Sequence, residues 1–112
     1  NIPIGLASNR DYPRRALKCM EIEDYFEAVV GTFDVEKPKP APDVIIKAME
    51  KMKAPAEELL YICDSLGDLR AAEAAGVKCF SMTTGGHSAA ELKKLGAMAT
   101  GDRLIEIIDL FS

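Results

Sequence analysis

The chain has 112 residues, 48% of them hydrophobic and 29% charged, with a net charge of -4 and a pI near 5.0. That balance fits one globular domain and argues against disorder. No Lys/Arg stripe is present, which argues against nucleic acid and anionic membrane as partners, and no apolar run approaches the roughly 18 residues that cross a bilayer. Ile2 to Ala7 reads as a buried strand. Asp11 to Met20 reads as a helix, with Pro13 tolerable in its first turn. Ala28 to Gly31 is a short strand. "EKPKPAP", Glu36 to Pro42, resists helix and sheet alike, because proline restricts the residue before it and removes a donor. From Asp43 to Lys53, the residues Val44, Ile45, Ala48, Met49 and Met52 fall on one helical face.

Leu59 to Cys63 is the next strand and Asp68 to Ala75 the next helix, ended by Gly76 at a left-handed position. Lys78 to Met82 is a strand and Thr83 to Gly86 a loop. Ser88 caps a helix to Leu95, with Glu91 as its capping-box partner. Ala97 to Ala99 reads as a last short strand. Leu104, Ile105, Ile107, Ile108 and Phe111 form the apolar face of a closing helix. Strands alternating with helices predict an α/β fold with a parallel, doubly wound, Rossmann-like sheet. Ligands in such sheets sit beyond the carboxyl ends of the strands.

The three cysteines, Cys19, Cys63 and Cys79, form no CxxC or Cys/His cluster. Cys63 and Cys79 lie in apolar runs, where a thiol serves as a small hydrophobe. Reduced cysteines in a cytoplasmic protein are expected.

Polar groups collect at three predicted strand ends. Ser8 and Asn9 follow "IPIGLA". Lys37 and Lys39 are held among prolines. Asp64, Ser65 and Asp68 follow "LLYIC". A hydroxyl beside free N–H groups suits a phosphate oxygen. A restrained lysine supplies a compact positive charge. An acid at a strand end suits Mg²⁺, which takes one or two carboxylates and keeps its waters. Together these are the equipment of phosphoryl transfer. Each also has a plainer reading. Ser8 or Asn9 fits as a helix cap, Lys39 as a solvated loop residue, Asp64 and Ser65 as N-caps, and Asp68 as a first-turn acid facing the helix dipole. His87, in "GGH", fits a loop position beside a helix start or a substrate contact.

In order and placement these motifs resemble the haloacid dehalogenase-like hydrolase superfamily, mostly Mg²⁺-dependent phosphatases. "IGLASN" resembles its second motif, "KPAPD" its third and "DSLGD" its fourth. The resemblance implies that Ser8, with the Asn9 backbone, binds the transferred phosphoryl group. Lys39, preferred over Lys37 for its spacing to the following helix, would neutralise nucleophile and phosphate. Asp64 would bind Mg²⁺ directly, while Asp68 would support the metal shell or hold the lysine. The implied substrate is a small phosphorylated metabolite.

Two departures stand out. Cys63 replaces the family's usual glycine. The first motif, Asp-x-Asp, whose first acid becomes an aspartyl phosphate, is absent. The expectation is that residues 1–112 form the C-terminal part of one core domain without a cap domain, inactive alone. The first, central strand would then be missing between the strands ending at Ser8 and Asp64. Those two strands would pair directly, or the N-terminal half or another chain would fill the slot. A phosphosugar mutase of the same superfamily, a dehalogenase and a non-catalytic binding or regulatory piece are the alternatives. The Asp-Ser-x-x-Asp acids favour a metal and so a phosphatase.

Overall fold

The computed structural model describes residues 2–103 and Ile105. Among the described residues, five strands and four helices alternate in chain order: β1 Gly5–Ala7, α1 Pro13–Cys19, β2 Ala28–Val30, α2 Asp43–Met52, β3 Leu60–Cys63, α3 Leu66–Ala75, β4 Lys78–Met82, α4 Ala89–Lys94 and β5 Ala99–Gly101. Short 3₁₀ turns at Glu23–Tyr25, Thr32–Asp34, Ala56–Glu58 and Thr83–Gly85 complete the connections. The closing helix expected around Leu104, Ile107, Ile108 and Phe111 lies outside the described residues.

Local chemistry sets the helix bounds. Pro13 opens α1, where its missing N–H costs nothing. In α2, Asp43 sits in the first turn and Lys51 in the last, each complementing the helix dipole. Ser65 caps α3 by accepting from the Asp68 N–H, and Gly76 ends it at φ 75°, in the left-handed region. Ser88 and Glu91 form the expected capping box of α4.

All strand pairs are parallel, but they fall into two sheets. β1 pairs with β2 in the register Gly5↔Ala28, Leu6↔Val29 and Ala7↔Val30. The other sheet has the order β3-β4-β5, with Cys63 opposite Ser81 and Phe80 opposite Ala99. Helix α2 packs on β1 and β2 and meets α3, which lies over β4 and β3. A buried cluster joins them: Val30, Val44, Ile45, Cys63, Leu69 and Ala72 are among its members. Ala71 and Ala72 are fully buried, and their small side chains let α3 lie close to its sheet.

β1 and β3 do not pair directly, contrary to one sequence expectation. A cavity of about 490 Å³ lies between them, lined by Leu6, Ala7, Met49, Met52, Leu60 and Ile62 among others. The Ser8 N–H donates to Val30 O at 2.9 Å, and the Glu27 N–H to Ile4 O at 2.7 Å. Even-numbered β1 residues thus turn their backbone groups toward β2. The N–H and C=O groups of Gly5 and Ala7 therefore face the gap, because these groups alternate sides along a parallel strand. Ile4 and Ile62, both apolar, are 48% and 43% exposed.

Candidate active site

At the carboxyl end of β3 the chain leaves the sheet at Cys63, and Asp64 is exposed immediately beyond it. Ser65 then starts α3. Its hydroxyl accepts from the Asp68 N–H at 3.1 Å and donates to Asp68 Oδ2 at 2.9 Å. The capping role of Ser65 and the side-chain placement of Asp68 are thus one arrangement. The loop after β4 closes over the same turn: a Cβ on Gly85 would lie 1.7 Å from the Asp64 carbonyl oxygen. Only glycine permits this approach.

Lys39 arrives from the proline-rich loop, and Asn9 holds its backbone. The Lys39 N–H donates to Asn9 Oδ1 at 2.9 Å, while Asn9 Nδ2 donates to Lys39 O at 3.3 Å. The ammonium lies 2.5 Å from Asp68 Oδ1, with both side chains largely buried. It also donates to Tyr61 Oη at 3.1 Å and to Ala7 O at 3.2 Å. Burial alone would raise the Asp68 pKa, but the Lys39 hydrogen bond and charge, helped by the Ser65 hydroxyl, hold it below the usual aspartate value. Burial, then the neighbouring Asp68 charge, pushes the Tyr61 phenol up.

Ser8 directly follows Ala7, and its hydroxyl accepts from the Arg10 N–H at 3.1 Å. The N–H of Lys37 donates to Asp43 Oδ2, and this lysine is exposed. His87 Nδ1 lies 3.5 Å from Glu91 Oε2 at the start of α4. Cys63 and Cys79 are buried free thiols on neighbouring strands, their sulfurs 2.6 Å apart.

Among the described residues, no three His, Cys, Asp or Glu side chains cluster as a metal site. The donor chemistry still fits a hard cation in part. Asp64 offers an exposed carboxylate at the strand end, whereas Asp68 is engaged by Lys39. One carboxylate with waters suits Mg²⁺, and further protein ligands would have to come from elsewhere.

The sequence alone does not single out Tyr61 as a site residue. An aromatic residue inside "LLYIC" reads as core. Its site partners, Ala7, Lys39 and Asp68, are 54, 22 and 7 residues away.

Residues 1–82 match the family of haloacid dehalogenase-like hydrolases. The chain belongs to that family. It is 43% identical over 72 residues to a protein from Caldanaerobacter subterraneus subsp. tengcongensis provisionally named pyrophosphatase PpaX, covering 64% of this chain and 33% of that one. It is 36% identical over 86 residues to the phosphoglycolate phosphatase of Escherichia coli K12, covering 75% of this chain and 34% of that one. A crystal structure of a HAD-superfamily hydrolase, subfamily IA, variant 1, from Geobacter sulfurreducens superposes with a TM-score of 0.83 at 28% identity, over 97% of this chain and 52% of that one. The chain thus spans about a third of these curated relatives' length.

Proposed function

We propose that this chain is the Ser/Lys/Asp part of a Mg²⁺-dependent phosphatase acting on a small phosphomonoester. The observation that carries this reading is the placement of Lys39. Its ammonium joins the carbonyl before Ser8 to the Asp68 carboxylate across the gap between the two sheets, which supports reading these three segments as one site. Ser8 would hold the phosphoryl oxygens with the Asn9 backbone, and Lys39 would neutralise charge as it develops on them. Asp64 would hold Mg²⁺ directly, and Asp68 would orient Lys39. Mg²⁺ when bound would polarise the phosphoryl group and offset its charge. An aspartate outside residues 1–112, on a strand seated between β1 and β3, would attack phosphorus and form an aspartyl phosphate, which water then cleaves. That strand also accounts for the open gap.

The two curated relatives are named for small phosphate-bearing substrates, so pyrophosphate and phosphoglycolate are the first compounds to assay. In a polypeptide that carries this chain and the missing strand, Asp64→Asn should lower Mg²⁺-dependent phosphate release at least about a hundredfold. Unchanged turnover would overturn the assignment.

A further inference from the structure

The Lys39 ammonium has three N–H donors. In this structure they meet Asp68 Oδ1, Tyr61 Oη and Ala7 O. Asp68 is fixed by the start of α3, and Ala7 O by β1. Tyr61 alone of the three reaches the cluster from β3, with its phenol crossing the head of the gap. Its hydroxyl accepts from Lys39, and its own hydrogen has two acceptors in reach, Asp68 Oδ1 at 3.3 Å and Ala7 O at 3.4 Å. One hydroxyl therefore touches the ammonium and both of its other partners. The ring adds a weaker hold, since the ammonium lies 5.9 Å from its centroid.

We infer that Tyr61 is a positioning residue for the phosphoryl transfer proposed above: its hydroxyl holds the Lys39 ammonium against Asp68 and across the gap, fixing the direction from which Lys39 meets the phosphate. When a phosphate oxygen takes one of the three ammonium donors, the Tyr61 hydroxyl can turn its hydrogen onto Asp68. The carboxylate is then not left short of a partner. This inference rests on the phosphatase reading for its consequence, but its structural core concerns only Lys39.

Tyr61→Phe keeps the ring and removes the hydroxyl. In the longer polypeptide, kcat should fall about tenfold with KM changed less than about twofold, because a bond to a charged group is lost while substrate contacts remain. Tyr61→Leu removes the ring as well and should lower kcat further. A second readout does not depend on turnover. Acetic anhydride at low conversion, followed by peptide mass spectrometry, reports the acylation rate of Lys39 against the exposed Lys37 in the same loop. Tyr61→Phe should raise the Lys39/Lys37 ratio several-fold. An unchanged ratio, or a KM effect without a kcat effect, would overturn the inference. A raised ratio in a protein that cleaves no phosphoester would uphold the positioning of Lys39 and overturn the phosphatase reading instead.

Discussion

The head and the body of one gap are built differently. At its carboxyl head, Lys39, Tyr61 and Asp68 tie Ala7 on β1 to β3 and α3 through five polar contacts. Along its length, Leu6 and Ile62 line a cavity of about 490 Å³. The head closes because each polar side chain is anchored by its own neighbours: Ser65 caps and grips Asp68, and Asn9 pins the Lys39 backbone. The body stays open because apolar side chains on two parallel edges cannot supply the missing ladder of N–H and C=O groups. A few directed bonds can fix a site locally, whereas the middle of a sheet needs a whole strand.

The largest effect should come from filling the body. A strand that closes both ladders and covers the apolar edges should stabilise the fold by on the order of 5 kcal/mol. The isolated chain should therefore unfold at a much lower urea midpoint than a longer polypeptide carrying that strand, and should bind a hydrophobic dye such as ANS. Equal midpoints and no dye binding would mean that the gap is closed in solution.

A smaller effect tests the head. Gly85→Ala would drive a methyl into the Asp64 carbonyl. It should cost about 1–3 kcal/mol in thermal unfolding, and Mg²⁺-dependent protection against unfolding should weaken with it. Retention of both would show that the loop after β4 yields without moving Asp64.

The smallest effect concerns protons. The folded Asp68 pKa is depressed below its ordinary 3.8. Its stabilising contribution is therefore fully present above that value and is lost as pH falls through the lower folded value. Asp68→Asn should melt below the parent at pH 7, and the difference should shrink below pH 3.8. A difference that persists undiminished in acid would show that the loss is steric.

Much of this was legible in the sequence wherever the signal was local. The Ser88/Glu91 box, the Gly76 stop and the Lys78–Met82 strand lie where the residues place them. β1 is shorter than the expected Ile2–Ala7 because its partner β2 offers only Ala28–Val30 for pairing. The last strand lies at Ala99–Gly101 rather than Ala97–Ala99. Gly96 turns at φ 110° and the Met98 N–H is taken by Cys79 O, so regular pairing begins only afterwards. Helix α3 begins at Leu66, two residues before the expected Asp68, because its cap is Ser65. At the site, residue types foretold the charges of Lys39 and Asp68. They could not foretell Tyr61, whose role depends on partners brought together by the two sheets.

The Asn9 clamp carries a consequence of its own. Pro38, Pro40 and Pro42 strip alternate N–H groups from the lysine loop, so the segment cannot join a sheet. The Asn9 carboxamide accepts from the Lys39 N–H and donates to its carbonyl, acting as a one-residue surrogate for a neighbouring strand. Aspartate at position 9 would keep the acceptor but lose the donor, and serine would have one hydroxyl for two tasks. Positions 9 and 39 therefore form one mechanical unit. A graft of the lysine loop into another scaffold would have to bring the asparagine with it for the ammonium to keep its aim.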